Sequence, residues 1–322
     1  MLIQSFGPPV ADPNRLLFTI LTPTFNRAHT LNRVYRSLVA QRRGDFEWLV
    51  VDDGSTDATA EFVAAWGAEA PFPIRYVRQS NGHKKVALNN GFRLARGEFT
   101  VILDSDDALT PDALAVFAAA WESIPSHERH RFSGIRGLCI DAAGEVVGDN
   151  FPADPLDASA NELLYRHRIQ GEKLSCDRTT LLRRFPFPED VKGLVPEQVL
   201  WSQLSRDYKC RCVNEPVRVY HDSIDSLSRR LAAAACSEDV DGLSFAYNFV
   251  LDHDRGWFFA NPLILIKGAA NRTRFLCHLR KMGSGRRYRL STFGGRLLAL
   301  TFGWIGYLLY WRDVAGWRYH GG

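Results

Sequence analysis

The segment Val101-Ile-Leu-Asp-Ser-Asp-Asp107 is an apolar run that ends in three carboxylates, Asp104, Asp106 and Asp107. The apolar run predicts a buried strand, where charged side chains are uncommon. Carboxylates this close repel one another unless a cation lies between them, and Mg2+ and Mn2+ take oxygen ligands that they share with phosphates. The segment therefore predicts a site for a metal and a diphosphate. The alternative is an aspartate-rich turn that caps a helix beginning near Thr110.

Apolar runs upstream of this segment also end in polar residues. Strands are predicted over residues 16–22, 46–51 and 74–78, and helices over residues 30–40 and 86–95. Strands that alternate with helices predict an α/β fold, with a mostly parallel central sheet and helices on both faces. In such sheets ligands bind beyond the carboxyl ends of the strands, where the polar motifs fall.

Five motifs in this part of the chain resemble those of the family 2 glycosyltransferases. They are Thr22-Pro-Thr-Phe-Asn-Arg27, Val51-Asp-Asp-Gly-Ser-Thr-Asp57, Asn81-Gly-His-Lys-Lys85 with Ala87-Leu-Asn-Asn-Gly91, Ala95-Arg-Gly-Glu98 and Leu103-Asp-Ser-Asp-Asp107. Each motif alone is weak, whereas all five in this order and spacing are specific. The resemblance implies the glycosyltransferase A-type (GT-A) nucleotide-diphospho-sugar transferase fold, a nucleotide-sugar donor, a divalent metal (Mn2+ or Mg2+) and inversion at the anomeric carbon.

The resemblance also implies which residues hold the donor. Asp53 is the expected partner of a uracil imide N–H, with Asp52 beside it. Lys84 or Lys85 is expected to face the phosphates or the base, although both lysines also fit a solvated turn. The other donor-binding positions are those of the first turn and of the aspartate motif: Thr22, Pro23, Thr24, Phe25, Arg27 and Ser105.

The metal ligands are likewise implied by the resemblance. Asp104 is expected toward the ribose and the metal, and Asp106 on the metal that bridges the diphosphate. His221 follows a predicted strand and is expected to reach back to the metal, unless it is a surface histidine. Arg229 lies in a segment expected to close over the diphosphate, and it also fits an ordinary solvated run. Asp107 is expected to support the ligands or to cap the next helix.

An inverting transfer needs a general base that deprotonates the acceptor hydroxyl. Glu197 is expected at the start of a helix that runs to about Tyr208, where the helix dipole stabilises an ionised carboxylate. The family's usual Glu-Asp pair reads Glu197-Gln198 here. Glu189 and Asp190 therefore remain candidates, and Glu197 also fits a simple first-turn helix acid.

Length and composition fit a catalytic domain over residues 1–230 and a helical extension over residues 231–322. Within the catalytic domain, we expect a donor-binding half over residues 15–125 and an acceptor and base half over residues 126–230. The net charge of +4 is too small to indicate a nucleic-acid-binding protein. Six cysteines without zinc spacing predict reduced thiols, and Pro and Asp in residues 1–15 do not fit a signal peptide, so we expect a cytoplasmic protein.

The C-terminal extension has basic residues before an apolar, aromatic-rich stretch, Leu297 to Trp311. As a helix this stretch is about 22 Å long, which is shorter than the ~30 Å hydrocarbon core of a bilayer. It therefore predicts a membrane-interfacial segment at the inner face of the cell membrane, with a saccharide or lipid-linked saccharide as the acceptor. The alternative is a helix that packs on the catalytic domain or on a second copy in a homodimer.

Other classes of protein fit less well. A sugar-phosphate nucleotidyltransferase should have a Gly-rich basic loop after the first strand, and a dinucleotide oxidoreductase a G-x-G-x-x-G motif there. A degenerate, membrane-associated scaffold that binds sugar nucleotides but has no activity remains as a non-enzyme alternative. UDP is the nucleotide that the resemblance favours, with GDP and dTDP open.

Overall fold

The structure is a computed structural model that describes residues 1–9, 16–221 and 239–319, with side chains up to Ala315. The chain divides into two compact units. Of the described residues, the first unit comprises 1–9, 16–160, 169–187 and 204–221, and the second comprises 161–168, 188–203 and 239–319. Two short segments of the predicted catalytic part, 161–168 and 188–203, thus group with the C-terminal helices.

The first unit is built on a ten-stranded mixed sheet in the order β1-β4-β3-β2-β5-β9-β7-β10-β6, with β8 paired to β10. The strands are β1 Leu2–Phe6, β2 Phe18–Thr24, β3 Phe46–Asp52, β4 Ile74–Arg78, β5 Phe99–Ile102, β6 Ala108–Leu109, β7 Phe132–Ile140, β8 Leu156–Ala158, β9 Lys173–Arg178 and β10 Lys209–Val219. Strands β4, β3, β2 and β5 are parallel, as are β7 and β10. The remaining pairs are antiparallel.

Helices cover both faces of the parallel strands. In the first unit they are α1 Ala28–Val39, α2 Thr59–Glu69, α3 His83–Leu94, α4 Ala113–Glu122 and α5 Thr179–Arg184. Phe18 and Ile20 of β2 join the core that also contains Leu31 of α1. Leu21 points to the opposite face, because side chains alternate along a strand, and there it lies against Gly91 of α3, where a Cβ would come within 2.3 Å of its side chain.

The second unit is helical. Its elements are α6 Gln198–Leu204, α7 Val240–His253, α8 Pro262–Lys281 and α9 Phe293–Tyr319. Leu251, Leu265 and Leu290 are buried together in one of its apolar clusters. Asp254 anchors the unit, since its carboxylate accepts hydrogen bonds from Asn161 and Ser202 at 3.1 and 2.6 Å. Among the described residues, none of the helices is both long and apolar enough to span a bilayer.

The predicted elements are present, with shifted ends. The first buried strand runs from Phe18 to Thr24, two residues later than expected. α3 begins at His83 and not near Val86. α6 ends at Leu204 and not near Tyr208. The five cysteines that the structure describes are free thiols, four of them buried, as expected.

Candidate active site

The polar motifs of the first unit meet at the carboxyl ends of β2, β3 and β5, because parallel strands end at the same edge of a sheet. The loop after β2 is held to the loop after β3. The N–H of Asn26 donates to the Ser55 hydroxyl at 2.9 Å, and the Thr56 N–H donates to the Asn26 side-chain oxygen at 2.8 Å. The N–H of Ala28, the first residue of α1, donates to the Asp57 carboxylate at 3.0 Å. These two loops therefore form one wall.

Two residues of this wall have left-handed backbones, Asn26 with φ 52° and Gly54 with φ 89°. Asn tolerates this conformation through local hydrogen bonds, and Gly has no Cβ that opposes it. The Asn in the first motif and the Gly in the second are thus needed for the turns themselves.

The adjacent carboxylates Asp52 and Asp53 are both buried and have different partners. Asp52 accepts hydrogen bonds from the Ser55 N–H at 2.8 Å and from the Tyr76 hydroxyl. Asp53 accepts from the Gln79 amide and the Gly82 N–H, each at 2.8 Å. Burial raises the pKa of Asp53, and its hydrogen bonds partly oppose that rise. Asp52 therefore fixes the turn after β3, and Asp53 joins that turn to the start of α3.

The residues of the first motif differ in exposure. Thr22 and Pro23 are buried within β2, and the Thr22 hydroxyl accepts a hydrogen bond from the Trp48 indole at 3.0 Å. Thr24 is also buried, but its hydroxyl has no hydrogen-bond partner among the described atoms. A buried hydroxyl without a partner is costly, so this one suits a ligand that completes it. Phe25 is half exposed beside it.

The neighbouring residues Lys84 and Lys85, in the first turn of α3, have side chains in different environments. The Lys84 ammonium lies 2.5 Å from an Asp104 carboxylate oxygen, whereas the Lys85 side chain is buried. Burial acts to raise the pKa of Asp104, but the nearby charges of Lys84, Arg218 and Arg27 outweigh it and hold that pKa below its usual value. Asp104 is therefore an anion that already attracts cations.

Asp107 is the most buried carboxylate of the aspartate motif, with 2% of its surface exposed. It accepts the His221 N–H at 3.0 Å and pairs with the Arg218 guanidinium at 3.3 Å. Burial raises the pKa of Asp107 to about 7, against the opposing charge of Arg218. Asp107 does not cap α4, whose N-cap is Asp112. Its role is to bind the end of β10, and hence His221, to the aspartate turn.

Asp106 and Ser105 occupy the turn between β5 and β6. Ser105 is buried and Asp106 is partly exposed. The main-chain carbonyl of Asp106 accepts a hydrogen bond from Arg33 of α1 at 3.2 Å. Burial and the charge of Arg33 lower the pKa of His221, and the charge of Asp106 partly opposes them. Asp106 and His221 are therefore close enough to interact electrostatically, and the imidazole is held toward its neutral, metal-binding form.

The chemistry of these donors fits a hard divalent cation bound together with a substrate. Within residues 1–9, 16–221 and 239–319, no group of three or more His, Cys, Asp or Glu side chains is arranged to hold a metal ion by itself. Mg2+ at phosphate sites commonly takes only one or two carboxylates and completes its shell with water and phosphate oxygens. The Lys84 ammonium beside Asp104 indicates that the turn stabilises positive charge.

The predicted base is in the second unit. Glu197 is partly buried and precedes α6, and its carbonyl accepts the N–H groups of Leu200 and Trp201 at 2.9 and 3.1 Å. Asp190 pairs with Arg286 at 3.2 Å. Arg229 falls outside the described residues.

Four residues that support the site were not predicted from the sequence. They are Arg33, Tyr76, Gln79 and Arg218. The signal that marks Arg218 is an arginine between Val217 and Val219 near the end of an apolar strand. A fully charged side chain in such a strand requires a partner, which here is Asp107 with Glu172, the latter at 2.8 Å. Arg33, Tyr76 and Gln79 contact residues of other secondary-structure elements, so no local sequence pattern marks them.

Residues 19–127 match the family model described as glycosyl transferase family 2. An uncharacterized glycosyltransferase of Nostoc sp. is 35% identical over 164 residues, which are 51% of this chain and 44% of that protein. The GalNAc(5)-diNAcBac-PP-undecaprenol beta-1,3-glucosyltransferase of Campylobacter jejuni is 27% identical over 212 residues, 63% of each chain. This chain thus spans about half to two thirds of the length of these relatives.

Two solved structures share the fold. TarS of S. aureus in complex with UDP-GlcNAc aligns with a TM-score of 0.56 and 20% identity, over 82% of this chain and 72% of that one. The mannosyltransferase PcManGT of Pyrobaculum calidifontis, in complex with GDP-Man and Mn2+, aligns with a TM-score of 0.55 and 19% identity, over 94% and 89%. The solved structures show that the chain shares the GT-A fold, and the match over residues 19–127, which carry the five motifs, shows that this part of the chain belongs to the family 2 glycosyltransferases.

Proposed function

We propose that the chain is a metal-dependent, inverting glycosyltransferase. It takes a sugar from a nucleotide-diphosphate donor and transfers it to a saccharide or lipid-linked saccharide, in the synthesis of a cell-surface polysaccharide or glycolipid. The observation that carries the proposal is the aspartate turn at the carboxyl end of β5. Asp104, Asp106 and His221 offer oxygen and nitrogen donors there, and Lys84 supplies a positive charge.

A UDP-sugar is the favoured donor. The buried Asp53 carboxylate suits a base N–H, because burial raises its pKa and a donated hydrogen bond stabilises the charge. The Thr24 hydroxyl, which has no partner among the described atoms, lies at the end of the adjacent strand β2. One solved relative of the fold holds UDP-GlcNAc and another holds GDP-Man, so GDP-sugars and dTDP-sugars belong in the same test.

Asp104, Asp106 and His221 are the proposed metal ligands, and because these side chains do not form a complete site by themselves, oxygens of the diphosphate and water would complete the shell of the ion. A bound Mn2+ or Mg2+ would supply positive charge that neutralises the diphosphate as it leaves. Lys84 acts toward the same end, because an ammonium beside a transferring diphosphate stabilises its developing charge. Arg218 and Asp107 position the turn from behind and do not touch the donor.

Glu197 is the proposed general base. Its carboxylate takes the proton from the acceptor hydroxyl while that oxygen attacks the anomeric carbon on the face opposite the diphosphate. The bond from the anomeric carbon to the diphosphate oxygen breaks, and the nucleoside diphosphate leaves with the electron pair. Attack from the opposite face inverts the configuration. Glu189 and Asp190 are the alternative bases, and Asp190 forms an ion pair with Arg286.

A lipid-linked acceptor places the enzyme at the inner face of the cell membrane as a peripheral protein. The named activity of the Campylobacter jejuni relative, on an undecaprenol-linked saccharide, supports an acceptor of this kind. Association of two copies through the C-terminal helices is the alternative use of that surface.

The test is calorimetric titration of the purified chain with UDP, GDP and dTDP, each with Mn2+ and with a chelator. We expect metal-dependent binding of one nucleotide, which Asp106→Ala removes and which Glu145→Gln, on the exposed turn after β7, does not change. Release of the same nucleotide from its sugar donor then confirms turnover. Binding without turnover on any acceptor would favour the inactive scaffold, and binding that Asp106→Ala leaves intact would contradict the proposed site.

A further inference from the structure

Helix α9 carries a row of large apolar side chains that remain exposed on the folded chain. We call these residues the α9 stripe; their exposed fractions run from 49% to 82%, and they are Phe293, Leu297, Leu300, Trp304, Tyr307, Leu308 and Trp311. Single exposed hydrophobic residues are ordinary, but a contiguous set of this size marks an interaction surface.

The stripe lies on one face of the helix. Counting from Phe293 to Trp311, its members recur at intervals of four and three residues, with Leu308 directly after Tyr307, which is the spacing of side chains on one helical face. Eighteen residues of helix extend about 27 Å. The stripe is therefore a long, narrow apolar surface.

The other side of α9 is fixed against α8. Gly306 approaches so closely that a Cβ on it would lie 2.1 Å from the carbonyl oxygen of Ala270. Asp313 forms a bidentate pair with Arg274, at 2.5 and 2.8 Å, and accepts a hydrogen bond from His278 at 3.0 Å. These contacts fix the rotation of α9 about its own axis, so the stripe points outward and is not a loosely packed part of the core.

The segment that carries the stripe is strongly basic. Residues 262–315 contain ten Lys or Arg residues and a single acidic residue, Asp313, although the whole chain has a net charge of only +4. Asp313 is nearly buried in its contacts with Arg274 and His278. Seven of the basic residues are exposed: Lys267, Arg280, Lys281, Arg287, Arg289, Arg296 and Arg312.

An apolar stripe together with exposed basic residues favours a lipid surface, rather than a second copy of the chain, as the binding partner. Two copies that met along the stripe would bring like charges together with no exposed acid from this segment to pair with them, and such like-charge pairs are unfavourable. Four of the seven stripe residues are aromatic, a composition that favours the interface between lipid headgroups and acyl chains. Basic side chains beside them complement anionic headgroups. Phe259, 95% exposed, and Leu263, 64% exposed, add apolar surface in the same unit.

We propose that α9 binds in the plane of an anionic bilayer, with the α9 stripe inserted into the interface and the seven exposed basic residues of 262–315 on the headgroups. This inference rests on the membrane location in the proposed function and specifies the surface that provides it. It does not depend on the transferase chemistry, because lipid binding can be measured without a donor.

The experiment compares sedimentation with phosphatidylcholine vesicles and with vesicles that also contain phosphatidylglycerol. We expect binding to the anionic vesicles that weakens at high salt, and at least about a tenfold loss of partitioning in Leu300→Glu/Trp304→Glu. The matched control is Leu2→Glu/Val39→Glu, which makes the same charge change at exposed apolar positions of the first unit and should partition like the wild type.

Three outcomes would overturn the inference. They are no binding to anionic vesicles, equal losses in the two double variants, and a lipid-free dimer that Leu300→Glu/Trp304→Glu dissociates, which would make the stripe a contact between copies. Nucleotide titration of the same preparations separates the two proposals. Vesicle binding without nucleotide binding would reject the transferase site and leave this inference standing, whereas nucleotide binding without vesicle binding would do the reverse.

Discussion

Replacing Arg218 with Met should destabilise the chain by about 3 kcal/mol, because it removes the cation that faces the Asp107 carboxylate in the interior. Asp107 is 2% and Arg218 6% exposed, and they are 3.3 Å apart. Breaking a buried ion pair from one side costs about 3–5 kcal/mol. The lower end applies here, because the pKa of Asp107 is already raised to about 7 and the carboxyl can take up a proton once the cation is gone.

Asp107→Asn should cost less, about 1–2 kcal/mol. Its amide oxygen can still accept the His221 N–H, and Arg218 keeps its contact with Glu172 at 2.8 Å. If the two residues act as a pair, the loss of unfolding free energy in the double variant should be at least about 1 kcal/mol smaller than the sum of the losses in the two single variants. The assay is urea unfolding of all four proteins at neutral pH, followed by circular dichroism.

Arg211→Met is the matched control, since Arg211 lies on the same strand and pairs with Asp157, which is a third exposed. We expect a loss below about 1.5 kcal/mol there, because Asp157 can return to water when the guanidinium is removed. If the losses of Arg218→Met and Asp107→Asn add up to the loss of the double variant within about 0.5 kcal/mol, the reasoning is refuted, because the effects of uncoupled residues are additive.

Three further predictions concern the base, the lysine and the C-terminal helix. Glu197→Gln should keep nucleotide affinity while turnover falls by about a hundredfold or more, measured as release of the nucleoside diphosphate; near-normal turnover would move the base to another carboxylate. Lys84→Met should raise the pKa of Asp104, because the carboxylate loses its nearest cation. It should also weaken nucleotide binding about tenfold by calorimetry, because the diphosphate loses the positive charge of the ammonium; unchanged affinity would show that the lysine contacts only protein. Asp313→Asn should lower the unfolding free energy at neutral pH. Burial raises the pKa of Asp313, but Arg274 and His278 outweigh that effect and lower it, so its contribution is present above the ordinary carboxyl pKa of about 4 and is lost as the pH falls below it. The difference between Asp313→Asn and wild type should therefore shrink in acid, and a constant difference across that range would contradict the assignment.

The parallel strands were predictable because their signals are local. Each of β2, β3 and β5 is rich in apolar residues, is buried throughout and leads into polar residues. Buried strands of this kind have no exposed face, so composition alone marks them. The short strand β1 gave no such signal, since most of Leu2–Phe6 is exposed and it is held by pairing with β4.

The contacts behind the aspartate turn were not predictable, because they join residues far apart in the sequence. Arg218 and Asp107 are separated by more than a hundred positions, and no spacing rule connects them. The difference between Lys84 and Lys85 depends on where α3 begins. Neighbouring helical residues point about 100° apart, so one lysine reaches Asp104 and the other is buried.

The hydrogen bonds between the loops after β2 and β3 also bear on protein engineering. Asn26, Ser55, Thr56 and Asp57 connect residues 24–28 to residues 53–57, so a change in either loop alters the support of the other. A chimera that imported only one loop from a relative with another donor would combine halves that had not evolved together. The smallest transplantable part is the pair of loops together with Gln79 and Gly82, which bind Asp53, and grafting all of them should preserve folding where grafting one loop alone does not.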